Sequence, residues 1–140
     1  LRTAKYKRRT ILIITDGGDN ASRYTMREIK RLAQESDVEI YAIGLFETFF
    51  FNTFEEYMGK KWLREITDRT GGRTVTVESR EKLPALAGEV SREMRSRYIL
   101  GYTPTAEPMH RWKNLRVEVK SPAPGRQFHA HFKNGYYAGD

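Results

Sequence analysis

The 140-residue chain has no cysteine, which excludes disulfides, thiolate metal sites and a cysteine nucleophile. No apolar run approaches the roughly 20 residues that a membrane-crossing helix needs. Histidine is scarce, at three residues. There is no Gly-x-Ser-x-Gly elbow. Gly59-Lys60-Lys61 lacks the upstream glycine and the following Ser or Thr of a phosphate-binding loop. No internal repeat or low-complexity tract occurs. Leu1-Arg2-Thr3-Ala4 leads directly into basic residues rather than an apolar signal segment, and there is no initiating Met, as expected for a piece of a longer protein. With no nucleophile-and-base constellation in view, no catalytic residue is assigned, and a binding domain is expected rather than an enzyme.

What is present fits one globular domain: 39% hydrophobic and 31% charged residues over a length that can bury a core. Lys and Arg outnumber Asp and Glu by 25 to 18, a net charge of +7. Such a surface favours acidic partners, although the basic residues are dispersed along the chain as on an ordinary solvated surface.

Thr10-Ile11-Leu12-Ile13-Ile14-Thr15 is a continuous aliphatic run, the pattern of a parallel strand buried on both faces. Asp16-Gly17-Gly18-Asp19-Asn20 stops it. Thr25 and Glu28 have the spacing of a capping box, opening a helix with Met26, Ile29, Leu32 and Ala33 on one face and an end near Ser36-Asp37. Val38 to Leu45 is the next strand, completing a βαβ unit with parallel strands and a right-handed crossover. A second helix is expected from Glu55 or Lys60 to Thr70, with Trp62, Leu63 and Ile66 inward and Gly71-Gly72 as its stop. Arg73–Val77 forms a third strand. A third helix starts near Leu83, with Pro84 in its first turn and Leu86, Val90 and Met94 at helical spacing. Beyond it, Tyr98–Tyr102, Leu115–Val119 and Phe128–Phe132 read as strands of an antiparallel extension. Residues 1–97 therefore form the α/β unit and 98–140 the β extension packed on it.

Asp16 follows a parallel strand directly, and ligands of open α/β sheets bind at the carboxyl ends of the strands. Gly17 and Gly18 allow close backbone approach. Asp16 and Asp19 offer hard oxygen ligands suited to Mg²⁺, Mn²⁺ or Ca²⁺, and Thr15 and Asn20 add neutral oxygens. The alternative is a turn held by Asx hydrogen bonds.

Ile11 to Gly17 resembles the fourth strand and third metal-site loop of a von Willebrand factor type A domain. Asp37 to Gly44 resembles that family's fifth strand, and Leu63 to Arg73 its next helix and glycine stop. The closest likeness is to the von Willebrand factor A-related domains of Acidobacteria. The carrying motifs are Asp16-Gly17-Gly18-Asp19-Asn20 with Ser22-Arg23-Tyr24-Thr25, Arg97-Tyr98-Ile99-Leu100-Gly101-Tyr102-Thr103-Pro104, and Gly135-Tyr136-Tyr137-Ala138. The resemblance spans nearly the whole chain. It implies a Rossmann-like three-layer domain, a bacterial extracytoplasmic setting, and adhesion to a protein partner through a metal-ion-dependent site to which Asp16 contributes.

The family's Asp-x-Ser-x-Ser motif is absent, so the resemblance covers the C-terminal half of such a domain and a partial sheet. A metal is expected only where the missing first-strand ligands are supplied. The Ile11–Thr15 strand, which in that family pairs with the missing strand, would present an apolar edge, from which either self-association or a local rearrangement that covers the edge is expected.

Phe49-Phe50-Phe51, flanked by Phe46 and Phe54, follows the second strand's carboxyl end. It reads either as an apolar contact patch beside Asp16 or as rings folded back on the core. Together with Gly17, Gly18 and Asn20, these residues form the expected partner surface. His129 and His131 share one strand face, a spacing that can bind metal but equally fits a wet face. The runner-up function is nucleic-acid binding through the basic surface, including Lys5, Lys7, Arg8 and Arg9.

Overall fold

A computed structural model describes residues 9–16, 23–46, 54–104, 111–121, 125 and 128–137, with backbone alone at 55 and 56. The expected site residues Gly17, Gly18, Asp19, Asn20, Phe49, Phe50 and Phe51 lie outside the described residues, as do Lys5, Lys7 and Arg8.

The chain is mixed α/β. Its elements are β1 (Arg9–Thr15), α1 (Met26–Glu35), β2 (Val38–Leu45), α2 (Phe54–Thr70), β3 (Thr74–Val77), α3 (Leu83–Arg95), β4 (Trp112–Asn114) and β5 (Gly135–Tyr137). β1, β2 and β3 form a parallel sheet in that order, and β4 pairs antiparallel with β5 in a separate two-stranded sheet.

Local chemistry explains the helix limits. Thr25 caps α1: the Glu28 N–H donates to Thr25 Oγ1 at 3.3 Å, and the Thr25 N–H donates to Glu28 Oε2 at 2.8 Å. This is the expected capping box, and it satisfies two amide donors that a bare helix end leaves orphaned. α2 ends where Gly71 takes a positive φ of 88° and the Gly72 N–H returns to the Thr67 carbonyl at 3.1 Å. Pro84 sits in the first turn of α3, where its missing N–H costs nothing.

Helices cover both sheet faces. On one side α3 lays Leu83, Leu86, Ala87, Val90 and Met94 against Tyr41, Ile43, Leu45, Val75 and Val77. On the other, α2 is tied to the sheet by threonines: the Ile40 N–H donates to Thr70 Oγ1 at 3.0 Å, and the hydroxyls of Thr67 and Thr74 lie 3.0 Å apart. α1 packs beside α2.

Burial of β1 departs from the sequence reading. Ile11 and Ile13 are half-buried, but Leu12 is 37% and Ile14 56% exposed. The register sets Leu12 beside Tyr41 and Ile14 beside Ile43, on the α3 side of the sheet. α3 sits over β2 and β3 and leaves that side of β1 uncovered.

The tail departs further. Tyr98–Tyr102 is not a strand, and Tyr98, Ile99 and Leu100 are largely exposed, because no described strand lies alongside to pair with them. Leu115, Val117, Ala130 and Phe132 are half-buried as expected, but Val119 and Phe128, expected on the same inward faces, are exposed, and the ladder forms only at Trp112–Asn114 and Gly135–Tyr137, extended by the Leu115 N–H to the Asn134 carbonyl at 2.8 Å. β-propensity selected segments that fit an extended, half-wet surface without specifying their partners. Lys133 Nζ anchors the tail to the α1–β2 turn, donating to the Ser36 carbonyl at 3.0 Å and pairing with Asp37 at 3.2 Å.

Candidate functional site

The carboxyl edge of the parallel sheet is built from the residues that end each strand. Asp16 is exposed and stands one residue beyond the pairing of Thr15 with Gly44. At the end of β2, the Phe46 N–H donates to the Val77 carbonyl at 3.0 Å. The Phe46 ring is 5% exposed, with the Lys60 ammonium 4.4 Å from its centroid. Of the clustered phenylalanines, Phe46 therefore belongs to the core, whereas Phe54, the first residue of α2, is exposed.

α1 and α2 both begin at this edge, since each follows the carboxyl end of a parallel strand. Tyr24 precedes α1, and Phe54 and Tyr57 lie in the first turns of α2. All three are well exposed. Exposed aromatics are the side chains that anchor protein interfaces. Sequence reading missed Tyr24 and Tyr57, because their placement depends on which strand end each helix follows. Their position before and within the first turns of the helices was the available signal.

Among the described residues, no group of three or more His, Cys, Asp or Glu side chains gathers as metal ligands. Asp16 is the one expected carboxylate ligand among the described residues, and one carboxylate, even with the Thr15 hydroxyl, falls short of the near-octahedral oxygen set of Mg²⁺. His129 and His131 are exposed, and His131 lies close enough to Asp68 to act on its charge. Burial raises the Asp68 carboxyl above its ordinary value, and His131 and Arg64 partly counter that effect.

The remaining perturbed groups are structural. The Thr25 hydroxyl and amide hold the Glu28 carboxyl low. Burial raises the Tyr41 phenol, whose hydroxyl donates to Glu39 Oε1 at 3.3 Å, and the Arg97 guanidinium lies 5.4 Å from its ring centroid. Arg97 also pairs with Glu39, fastening the end of α3 to β2. A hydrogen bond with Tyr136 pushes the Tyr102 phenol up to about 12, and the two rings meet edge to face at 6.1 Å. This contact joins the Arg97–Pro104 and Gly135–Ala138 motifs in space.

No described helix is long and apolar enough to cross a membrane. No family model and no curated protein matches the chain. It is similar in fold to a solved structure described as an uncharacterized membrane spanning protein from Vibrio fischeri, with a TM-score of 0.50 and 20% sequence identity over 63% of this chain and 48% of that one. The chain thus spans about half the length of that protein, and the likeness is one of α/β architecture.

Proposed function

We propose that this chain is a protein-interaction module of the von Willebrand factor A type, engaging its partner at the carboxyl edge of the sheet and along β1. The observation that carries this reading is that β1 is the outer strand of the parallel sheet among the described residues, with Leu12 and Ile14 exposed on one face and Asp16 at its carboxyl end. Strand edges with free amides and carbonyls invite a further strand. The resemblance places the strand bearing Asp-x-Ser-x-Ser at this edge, which would bring its oxygens to Asp16. The exposed Tyr24, Phe54 and Tyr57 supply contact area at the same end of the sheet. In this reading a divalent ion binds only where those additional ligands join Asp16, the partner is a protein, and the setting is extracytoplasmic.

Without an added strand, β1 is expected to pair with a second copy. Sedimentation across concentration should show association, and Ile14→Lys should reduce it by placing a charge on the exposed apolar side. Exchange of the amides facing the open edge between Leu12 and Ile14 should slow as the chain associates. A monodisperse monomer with fast exchange at these amides would count against the edge as an interface.

A further inference from the structure

α1 and α2 lie side by side in a constant register. Lys30 pairs with Glu65, and Arg69 Nη1 donates to Gln34 Oε1 at 3.2 Å, both partners being offset by 35 residues. The same offset sets Arg27 level with Trp62. Between the helices runs a groove of about 480 Å³, lined by the cations Arg27, Lys30, Arg31 and Arg69 with Trp62 and Gln34.

The groove keeps a positive charge. Glu65 neutralises Lys30, and Glu35 lies 3.9 Å from Arg31 on an exposed surface where such a pair contributes little. Arg27 has no carboxylate ion pair among the described residues, and Arg69 shares Glu65 electrostatically with Lys30. Arg27, Arg31 and Arg69 thus line the same groove as the half-buried indole of Trp62. Guanidinium forks match phosphate oxygens, and an indole offers a stacking surface to a base.

We propose that this groove binds single-stranded nucleic acid, with Arg27, Arg31 and Arg69 on phosphates and Trp62 against a base. A duplex keeps its bases stacked internally and has no use for the indole. An acidic peptide would use the cations alone. An anionic membrane would be met by a flat basic face rather than by an indole set between two helices. α1, with 10 residues, is about 15 Å long, which limits the site to a few nucleotides. The groove belongs to the helix layer and is separate from the Asp16 interaction reading.

The test is fluorescence anisotropy of a labelled oligothymidylate of about 12 nucleotides at about 50 mM salt, the regime in which phosphate contacts dominate. Binding should weaken with salt at a log–log slope of about −2, as about three phosphate contacts give on a single strand. Arg27→Glu with Arg31→Glu should weaken binding by at least about tenfold and reduce the slope by about 0.7 per cation removed. Arg116→Glu with Lys120→Glu makes the same charge change on the tail and should leave most of the affinity. Bound oligonucleotide should quench indole emission in the parent chain, and Trp62→Phe should remove that quench. Circular dichroism would confirm that each variant is folded. Absence of binding would overturn the proposal, as would equal losses in the two charge-reversed variants. Equal affinity for polyglutamate or for phosphatidylserine vesicles would overturn it too.

Discussion

Thr25 and Glu28 hold the amino end of α1 by reciprocal hydrogen bonds, and a titratable group sits inside that arrangement. The bonds from Thr25 lower the Glu28 carboxyl below its ordinary value, so the ionised form is the one that the folded state favours. Thr25→Ala should cost about 1 kcal/mol at neutral pH, the usual loss on removing an N-cap side chain. The sign of the pH dependence follows from the depressed value. The Glu28 contribution is fully present above the ordinary glutamate value of about 4.3 and is lost as pH falls through the lower folded value. Denaturation of the parent and of Thr25→Ala should therefore show a gap that is widest near neutrality and narrows in acid. A gap that widened in acid would contradict this.

Gly71 ends α2 and also marks where the tail docks. At φ 88° any other residue is strained, and a Cβ there would lie 2.6 Å from the Lys133 amide nitrogen. Gly71→Ala should lose at least the roughly 1–2 kcal/mol of a left-handed backbone, and it should loosen the tail, seen as faster amide exchange near Lys133. Unchanged stability and exchange would show that the tail does not press on this turn. Features written in nearest neighbours were legible in the sequence: the Thr25/Glu28 cap, the Gly71 stop and the helical spacing of Leu83, Leu86, Val90 and Met94. Features that depend on a distant neighbour were not. Ile11-Leu12-Ile13-Ile14 has the composition of a doubly covered strand, yet coverage is decided by where α3 lies. Tyr98–Tyr102 has strand propensity without a described partner. The α1–α2 groove was missed because its cations and Trp62 are brought together by an offset of 35 residues, although Arg27, Arg31 and Gln34 already formed a helical stripe in the sequence.

Among the described residues the parallel sheet lies between helices on both faces, with β1 as an outer strand that exposes Leu12 and Ile14 and carries Asp16 at its carboxyl end. The candidate site was legible as a position, since Asp16 had to follow a strand. The company it keeps was not, because Asp19 lies outside the described residues and the other ligands implied by the resemblance belong to a motif that this sequence does not contain. The most direct measurement is a thermal melt in millimolar Mn²⁺ or Mg²⁺, comparing the 140-residue chain, a version extended on its N-terminal side, and Asp16→Ala in each. A ligand that binds only the folded state raises the midpoint by mass action. A metal-dependent rise in the extended version alone, abolished by Asp16→Ala, is the predicted result. No shift in either version, or a shift that survives Asp16→Ala, would contradict a metal-dependent adhesion site at this edge.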